Sequence, residues 1–394
     1  MKTLIVSAVF LPEPVVSAKL SCDLASALSE SKDVVVLSPK PTRPFGFKFE
    51  EIPFFEKFKH VVLKTYTCPE SNLFGRLRET YSFGKETYKY ICKNHKSISQ
   101  IYSNTWPLLA QYYTVKAAKK YNIPIVIHVQ DIYPESLTNK IPYIGFILRF
   151  LLFPIDRFVF KNTNHIIAIS NKMKHYLART RNVKLDKISV VANWQDENDF
   201  ILFNENKELK KTKNFTFMYL GNIGPVAGVD LLIEAFVKSK LRECKLIIAG
   251  SGSMKQTLQD KVSFSHFENI KFLSVPNGKV QETQSIADVM LLPMKKGAAA
   301  SSIPSKLPAY MFSKKPVIGC VDEGSDTALA IKESKCGWVL QPESIEQLTK
   351  CMIVVSKKSS LDLQEKGDLG YKYAIQNFSK KNNLQRLKKI IESI

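Results

Sequence analysis

The chain has 394 residues, of which 45% are hydrophobic and 24% charged; this excludes wholesale disorder and suits two domains, at most three. Its 57 Lys+Arg against 36 Asp+Glu give a net charge of +21, which calls for an anionic partner: nucleic acid, a membrane surface or a phosphorylated substrate. Seven scattered cysteines with no CxxC pair fit reduced thiols and argue against a disulfide framework or a zinc site.

The first ten residues, Met-Lys-Thr-Leu-Ile-Val-Ser-Ala-Val-Phe, are β-branched and stop at Pro12-Glu13-Pro14 without a small-x-small cleavage site. They therefore read as a strand rather than a signal peptide. Short Val/Ile runs then alternate with helix-length segments. Strands are expected at 4–9, 33–37, 98–103, 124–129 and 165–170, with helices at 17–30 and 108–120. The most apolar stretch, 141–160, is broken by Arg149, Asp156 and Arg157 and does not qualify as a membrane span. Continuous apolar strands between helices indicate a parallel sheet covered on both faces.

Residues 196–214 are polar and weakly periodic, and read as a linker. Beyond them the pattern repeats, with strands expected at 215–220, 245–249, 270–273, 288–292 and 316–321. The expected division is a first domain over 1–197, a second over 213–375, and a C-terminal helix over 376–394 with its apolar stripe at Leu384, Leu387, Ile390 and Ile391. Residues 1–195 carry 28 Lys+Arg against 14 Asp+Glu, a net +14, and the remainder 29 against 22, a net +7. The excess charge thus sits mainly on the first half.

Five segments have the composition of binding or catalytic turns. After the first strand, Ser17 either caps the next helix or sits over a ligand. The run His128-Val129-Gln130-Asp131-Ile132-Tyr133-Pro134-Glu135 places His128, Asp131 and Glu135 at or beyond a strand's carboxyl end. There a His can donate to a sugar hydroxyl and an Asp can accept a hydroxyl proton; the plainer alternative is a structural His and a capping Asp. Gly221-Asn222-Ile223-Gly224 and Gly250-Ser251-Gly252-Ser253 are strand-to-helix turns whose free amides can hold phosphate oxygens. Ser301-Ser302-Ile303-Pro304-Ser305-Lys306 opens a further helix with hydroxyls and one point charge suited to a diphosphate; Pro304 and Lys306 equally fit a first-turn proline and a solvated lysine.

Together these residues resemble a GT-B retaining glycosyltransferase of family 4, in the bacterial subgroup that builds surface polysaccharides such as O-antigen and capsule. The resemblance runs over nearly the whole chain and is weakest at 43–95. Its most specific pieces are the run at 128–135, the turn at 221–224, Ala287-Asp288-Val289, Pro304-Ser305-Lys306 and Asn193-Trp194. It implies an α/β fold of two Rossmann-like domains facing a cleft, with a C-terminal helix crossing back to the first domain. It also implies a nucleotide sugar, UDP-linked, as donor substrate, with no further cofactor and no bound metal. Gly221, Asn222, Gly224, Ser302, Ser305 and Lys306 would lie on the donor diphosphate, and Val275 and Pro276 on the base. His128 would approach the donor sugar and acceptor, with Asp131 and Lys306 completing the catalytic set. Ser17, Glu135 and Asn193 would line the acceptor side.

The sequence departs from the family pattern at Asn222 and Ala227, where a basic residue and a Lys or Gln are usual. It departs again at Ser301 and Ala309, where a glutamate pair is usual, and at Val15-Val16, where two glycines are usual.

The expected reaction is sugar transfer with retention to a polyprenyl-diphosphate-linked or other glycan acceptor. The basic residues of the first half, including Lys57, Lys59, Arg76, Arg78, Lys85, Lys89, Lys93 and Lys96 interleaved with Phe and Tyr, suit an anionic bilayer. That places the protein in the cytoplasm, peripheral on the inner membrane. A GT-B nucleotide-sugar 2-epimerase is the alternative within the fold, but the glutamate-rich site it needs is not evident. A basic nucleic-acid-binding protein is the alternative class, disfavoured because no recognised motif is present and the charge is dispersed. A dinucleotide-dependent dehydrogenase is disfavoured because no GxGxxG follows the first strand.

Overall fold

A computed structural model describes the chain apart from residues 44–46, 50, 69, 71, 105–106, 139–144, 207–213, 226, 265–266, 277 and 298–302, and the side chains of 73, 136 and 137. Two compact units emerge: Met1–Asn193 with Asn383–Ile394, and Trp194–Asn382.

The first unit runs β1 (Lys2–Ser7), α1 (Val16–Leu28), β2 (Asp33–Ser38), β3 (Lys59–Val62), α2 (Leu73–Asn94), β4 (Ile98–Asn104) and α3 (Leu108–Lys120). It continues through β5 (Ile125–Val129), α4 (Glu135–Thr138), α5 (Gly145–Lys161), β6 (His165–Ala168), α6 (Asn171–Arg181) and β7 (Ile188–Val190). All seven strands are parallel, in the order β3-β2-β1-β4-β5-β6-β7. Their Val/Ile runs are buried on both faces, as in β5, whose five residues are all inaccessible. This continuous burial is what a sheet sandwiched between helices requires.

The second unit comprises α7 (Asn198–Asn206), β8 (Thr216–Leu220), α8 (Val229–Ser239), β9 (Lys245–Ala249), α9 (Lys255–Phe264), β10 (Ile270–Leu273), α10 (Val280–Ser285) and β11 (Val289–Pro293). After these come α11 (Lys306–Phe312), β12 (Val317–Cys320), α12 (Asp326–Ser334), β13 (Gly337–Leu340), α13 (Ile345–Val355) and α14 (Ser360–Phe378). Its six parallel strands take the order β10-β9-β8-β11-β12-β13. That is the doubly wound order in which the winding reverses between the first and fourth strands, here β8 and β11.

Three strands exceed the sequence expectation: β3, β7 and β13. All are sheet edges of three or four residues and mostly half-buried, so neither period nor composition marks them. The expected linker over 196–214 needs correction, because α7 forms within it. Its apolar tetrad Phe200-Ile201-Leu202-Phe203 is hidden among polar neighbours, and Phe200 packs its ring 5.7 Å from that of Phe312.

Residues 194–197 belong to the second unit. Gln195 pairs with Ser379, and the buried Glu197 carboxylate accepts from the amides of Lys380 at 2.7 Å and Lys381 at 3.3 Å. It thereby satisfies orphan donors at the start of α15 (Lys380–Glu392). From Asn383 onward α15 belongs to the first unit, burying Leu387 and Ile391 there.

At the carboxyl edge of the second sheet, two turns interlock. The amides of Gly221 and Ile223 donate to Ala249 and Ser251 at 3.0 and 2.8 Å. Gly250 and Gly252 adopt φ +134° and +152°, and a Cβ on them would lie 2.1 Å from the Gly221 carbonyl and 2.3 Å from that of Ile223. Only glycine tolerates both that backbone and that approach. Gly250→Ala is therefore expected to cost about 2 kcal/mol or more in chemical denaturation. Gly324→Ala, whose Cβ meets nothing within 4 Å, is expected to cost far less. Equal stability of the two variants would contradict the packing account.

Candidate functional site

In the second unit, the β8–β11 pairing spans only Phe217 and Met218, so the end of β8 lacks a strand neighbour on that side. The Tyr310 hydroxyl takes that place: it donates to the Leu220 carbonyl at 2.8 Å and accepts from the Leu220 amide at 3.1 Å. Tyr310 is fully buried, and this pair of bonds pins α11 to the end of β8. Lys306 lies four residues earlier on the same helix face. Its methylenes cover Gly221 so closely that a Cβ there would meet the lysine Cε at 2.1 Å.

The Lys306 ammonium lies 5.3 Å from the centre of the Tyr219 ring. The Tyr219 hydroxyl in turn donates to the Asn222 carbonyl at 2.7 Å, bracing the turn. Burial pulls the Lys306 pKa below its ordinary value. Among the described residues the ammonium has neither a carboxylate partner nor a hydrogen-bond acceptor. A desolvated, unneutralised cation thus stands at the reversal point of a doubly wound sheet, beside a glycine turn. That is where such sheets place ligands, and the arrangement favours an anion.

The expected diphosphate residues distribute unevenly. Gly221, Asn222, Gly224 and Lys306 gather at this edge, and Ser305 caps α11 by position but is exposed and makes no side-chain cap bond. Ser302 and Ser301 lie outside the described residues. Because the Gly221 and Ile223 amides are already bonded, the expectation of a full row of free amides over 221–224 is corrected. Only those of Asn222 and Gly224 meet no described acceptor. Half-buried Val275 and exposed Pro276 follow β10, two strands from β8 and so roughly 10 Å along the same edge. Ala309, at a position where the family usually has a glutamate, is buried on α11.

Sequence reasoning missed two contributors. Lys255 opens α9 and donates to the Gly250 carbonyl and the Ser274 hydroxyl, both at 3.1 Å. The only trace was a basic residue just after a glycine turn. Tyr310 was visible only as one apolar helix residue among three.

The first-unit residues have their own setting. His128 is 1% exposed in β5, with Nδ1 2.7 Å from the Tyr102 hydroxyl, while buried Nε2 meets no partner among the described residues. Burial pushes its pKa down to about 4, so the ring is neutral near pH 7. Asp131 is half-exposed and accepts from the Ile132 amide at 2.9 Å. Asn193 keeps a buried, unpartnered Oδ1. Two expectations are corrected. Ser17 does not cap α1: Val15 holds that position without a side-chain bond, and Ser17 lies in the first turn.

Glu135 is not an open, ligand-facing carboxylate. The Arg181 NH1 and NH2 groups, each at 2.6 Å, and the Tyr176 hydroxyl at 2.9 Å engage it, and Arg181 Nε also binds Asp156 at 2.7 Å. Burial pushes Glu135 up, but the Arg181 hydrogen bonds and charge outweigh it and hold the carboxyl below its ordinary range. With the Arg181 side chain wholly inaccessible, this is a buried structural network.

All seven cysteines are free, and the described residues contain no group of three or more His, Cys, Asp or Glu that could hold a metal ion. No described helix is long and apolar enough to cross a membrane. The expected basic surface on α2 is partly spent. Arg76 and Arg43 bind Glu79, Arg78 stacks on Tyr66 at 4.3 Å, Lys89 pairs with Glu86 at 2.6 Å, and Phe58 is buried.

Two doubly wound parallel-sheet units in one chain, with a desolvated lysine at the reversal point of the second, are the architecture of GT-B-fold proteins. Residues 19–198 match the model for Glycosyltransferase Family 4, and residues 201–367 match that for Glycosyl transferases group 1. The chain belongs to glycosyltransferase family 4. It is 20% identical over 271 residues to the probable glycosyltransferase WbjE of Pseudomonas aeruginosa, covering 66% of each chain. With the O-antigen chain mannosyltransferase RfbU of Salmonella typhimurium it shares 28% identity over 217 residues, 50% of this chain and 49% of that one. The chain thus spans from just under half to just under two thirds of these relatives' lengths. Among solved structures, Anabaena Alr3699/HepE in complex with UDP superposes over the whole of both chains with a TM-score of 0.70 at 16% identity.

Two outcomes are expected. Gly221→Ala should fold with little loss, because a flexible lysine end can yield, yet should bind UDP at least about tenfold more weakly in calorimetry, since the ammonium is displaced. Unaltered affinity would contradict the placement of Lys306. For His128, the depressed pKa means that the unfolded chain takes up a proton between about pH 6.5 and 4 that the folded chain refuses, so stability falls with pH across that window. The effect is at most about 3 kcal/mol, and His128→Gln should flatten that part of the stability–pH curve. An unchanged slope would place the ring in solvent.

Proposed function

We propose that the protein transfers a sugar from a nucleotide sugar to a glycan acceptor in the assembly of a bacterial surface polysaccharide of the O-antigen or capsule type. The observation that carries this reading is the desolvated Lys306 ammonium over the Gly221 turn, which meets the Tyr219 ring but no carboxylate or hydrogen-bond acceptor among the described residues. As the anomeric carbon–oxygen bond breaks, negative charge grows on the departing diphosphate. A fixed cation in a partly dry setting stabilises that charge without reorganisation. The amides of Asn222 and Gly224, which meet no acceptor among the described residues, add donors, and Ser302 and Ser305 are assigned to the same proposed seat.

A UDP-linked donor is supported by the UDP held in the Anabaena structure of the same fold, with Val275 and Pro276 on the base side. We assign the reaction as retaining. The new bond to the acceptor hydroxyl forms on the face the diphosphate leaves, and the hydroxyl proton passes to the departing phosphate oxygen. Neutral His128 then serves as a hydrogen-bonding group toward the sugar rather than as an acid. Asp131 and Asn193 supply further polar contacts on the acceptor side, whereas Glu135 is retained as a structural anchor. The cationic role falls to Lys306, so the reading needs no metal.

The acceptor is a glycan carried on a polyprenyl diphosphate at the cytoplasmic face of the inner membrane. The net +14 of residues 1–195 supports an anionic surface as partner. Lys306→Ala should lower kcat/KM for UDP-sugar turnover by about a hundredfold or more, with Lys306→Arg recovering part of it. Unchanged kcat/KM in the alanine variant would remove the diphosphate assignment.

A further inference from the structure

Among the described residues, the outer face of α5 has no partner. Its inner stripe, Gly145, Leu148, Leu152, Asp156 and Val159, faces the first unit's core and α3; Phe158 lies 5.1 Å from Tyr112, ring to ring. On the opposite side Phe146 is 81% exposed, Ile147 59%, Phe150 75% and Leu151 62%, with Pro154 exposed beside them. At about 100° per residue these five cover an arc of roughly 140°. Two phenylalanines and two aliphatic side chains left this open amount to roughly several hundred Å² of apolar surface, the size at which such patches mark interaction sites.

The charges around this face have one sign. Arg157 and Lys161 fall within the same arc in the last two turns, whereas Arg149, about 60° outside it and 45% exposed, is ion-paired with Glu135 at 3.5 Å. The only acidic residue of α5, Asp156, points inward and is 1% exposed. The packed helix α3 adds exposed Lys116, Lys119 and Lys120 and has no acidic residue; the Lys119 ammonium lies 5.4 Å from the Phe158 ring. A face that is apolar in its first turns and cationic in its last matches a lipid interface, with rings and aliphatic groups at acyl depth and Arg or Lys at the phosphates. A second copy of the same face would bring no acid to these cations, because a two-fold contact pairs a patch with itself.

We propose that α5 is the membrane-docking element: its Phe146–Phe150 face inserts shallowly into an anionic bilayer, rather than the basic surface of α2 making the contact. This rests on the reading of a lipid-linked acceptor and names the residues that bring the first unit to it.

The test uses the full chain and flotation with phosphatidylcholine vesicles, with and without phosphatidylglycerol. The wild-type chain should float with the anionic vesicles and progressively less as salt is raised. Phe146→Ser with Phe150→Ser should weaken binding roughly tenfold or more, and so should Arg157→Glu with Lys161→Glu. A Lys85→Glu, Lys93→Glu variant on α2 should bind within a fewfold of wild type. All these side chains lie on the outside, so thermal stability and the UDP-induced shift should stay as in wild type. Loss of the UDP shift in the wild-type chain would sink the donor reading and leave the docking result standing. The proposal is overturned if the wild-type chain ignores anionic vesicles at low salt or if the double serine variant floats undiminished. A wild-type dimer that the double serine variant converts to monomer, seen by light scattering, would likewise overturn it and assign the face to a second copy.

Discussion

The proposed donor side depends on one close approach of backbone to backbone. Where β8 and β9 end, Gly250 and Gly252 let the carbonyls of Gly221 and Ile223 come nearer than any side chain would allow. The two turns consequently exchange hydrogen bonds and act as one rigid rim. Tyr310 fixes α11 to that rim by bonding both backbone groups of Leu220, and the spacing of one helical turn carries Lys306 over Gly221. Each step removes water from the lysine without supplying a countercharge. The preference for an anion is therefore built by packing, before any ligand arrives.

The first unit handles charge in the opposite way. Arg181 is wholly inaccessible and is met by Glu135, Asp156, Tyr176 and the Tyr133 carbonyl, so its cost of burial is offset inside the protein. This anchors the segment after β5, the one that follows His128, against α5 and α6. With its inward side held by that network, α5 turns Phe146 and Phe150 outward. Positive charge and exposed apolar surface coincide there, which gives part of the first half's excess charge a location.

Much of this was legible in the sequence. Buried parallel strands announce themselves as Val/Ile runs, so the two-fold α/β repetition and the turns at 221–224 and 250–253 could be placed from the residues alone. The edges β3, β7 and β13 could not, because short half-buried strands carry no distinctive pattern. α7 was masked by acidic and amide neighbours around four apolar residues. Individual roles were least accessible. Whether Glu135 faces a ligand or an arginine depends on Arg181, forty-six positions away in sequence. Likewise, which amides of 221–224 remain free depends on the partner turn. An exposed apolar helix face was hidden as well, since a run broken by Arg149, Asp156 and Arg157 gives no sign of which side the core takes.

The central claim is that Lys306 is desolvated yet unneutralised until a diphosphate arrives. The most direct measurement is the titration of the Lys306 ε-carbon resonance in the full chain, with Lys306→Arg used for assignment, before and after addition of UDP. The free protein should titrate below the ordinary lysine value, and UDP should raise that midpoint as the diphosphate supplies the missing countercharge. An ordinary midpoint in the free protein, or one that saturating UDP leaves in place, would contradict the account.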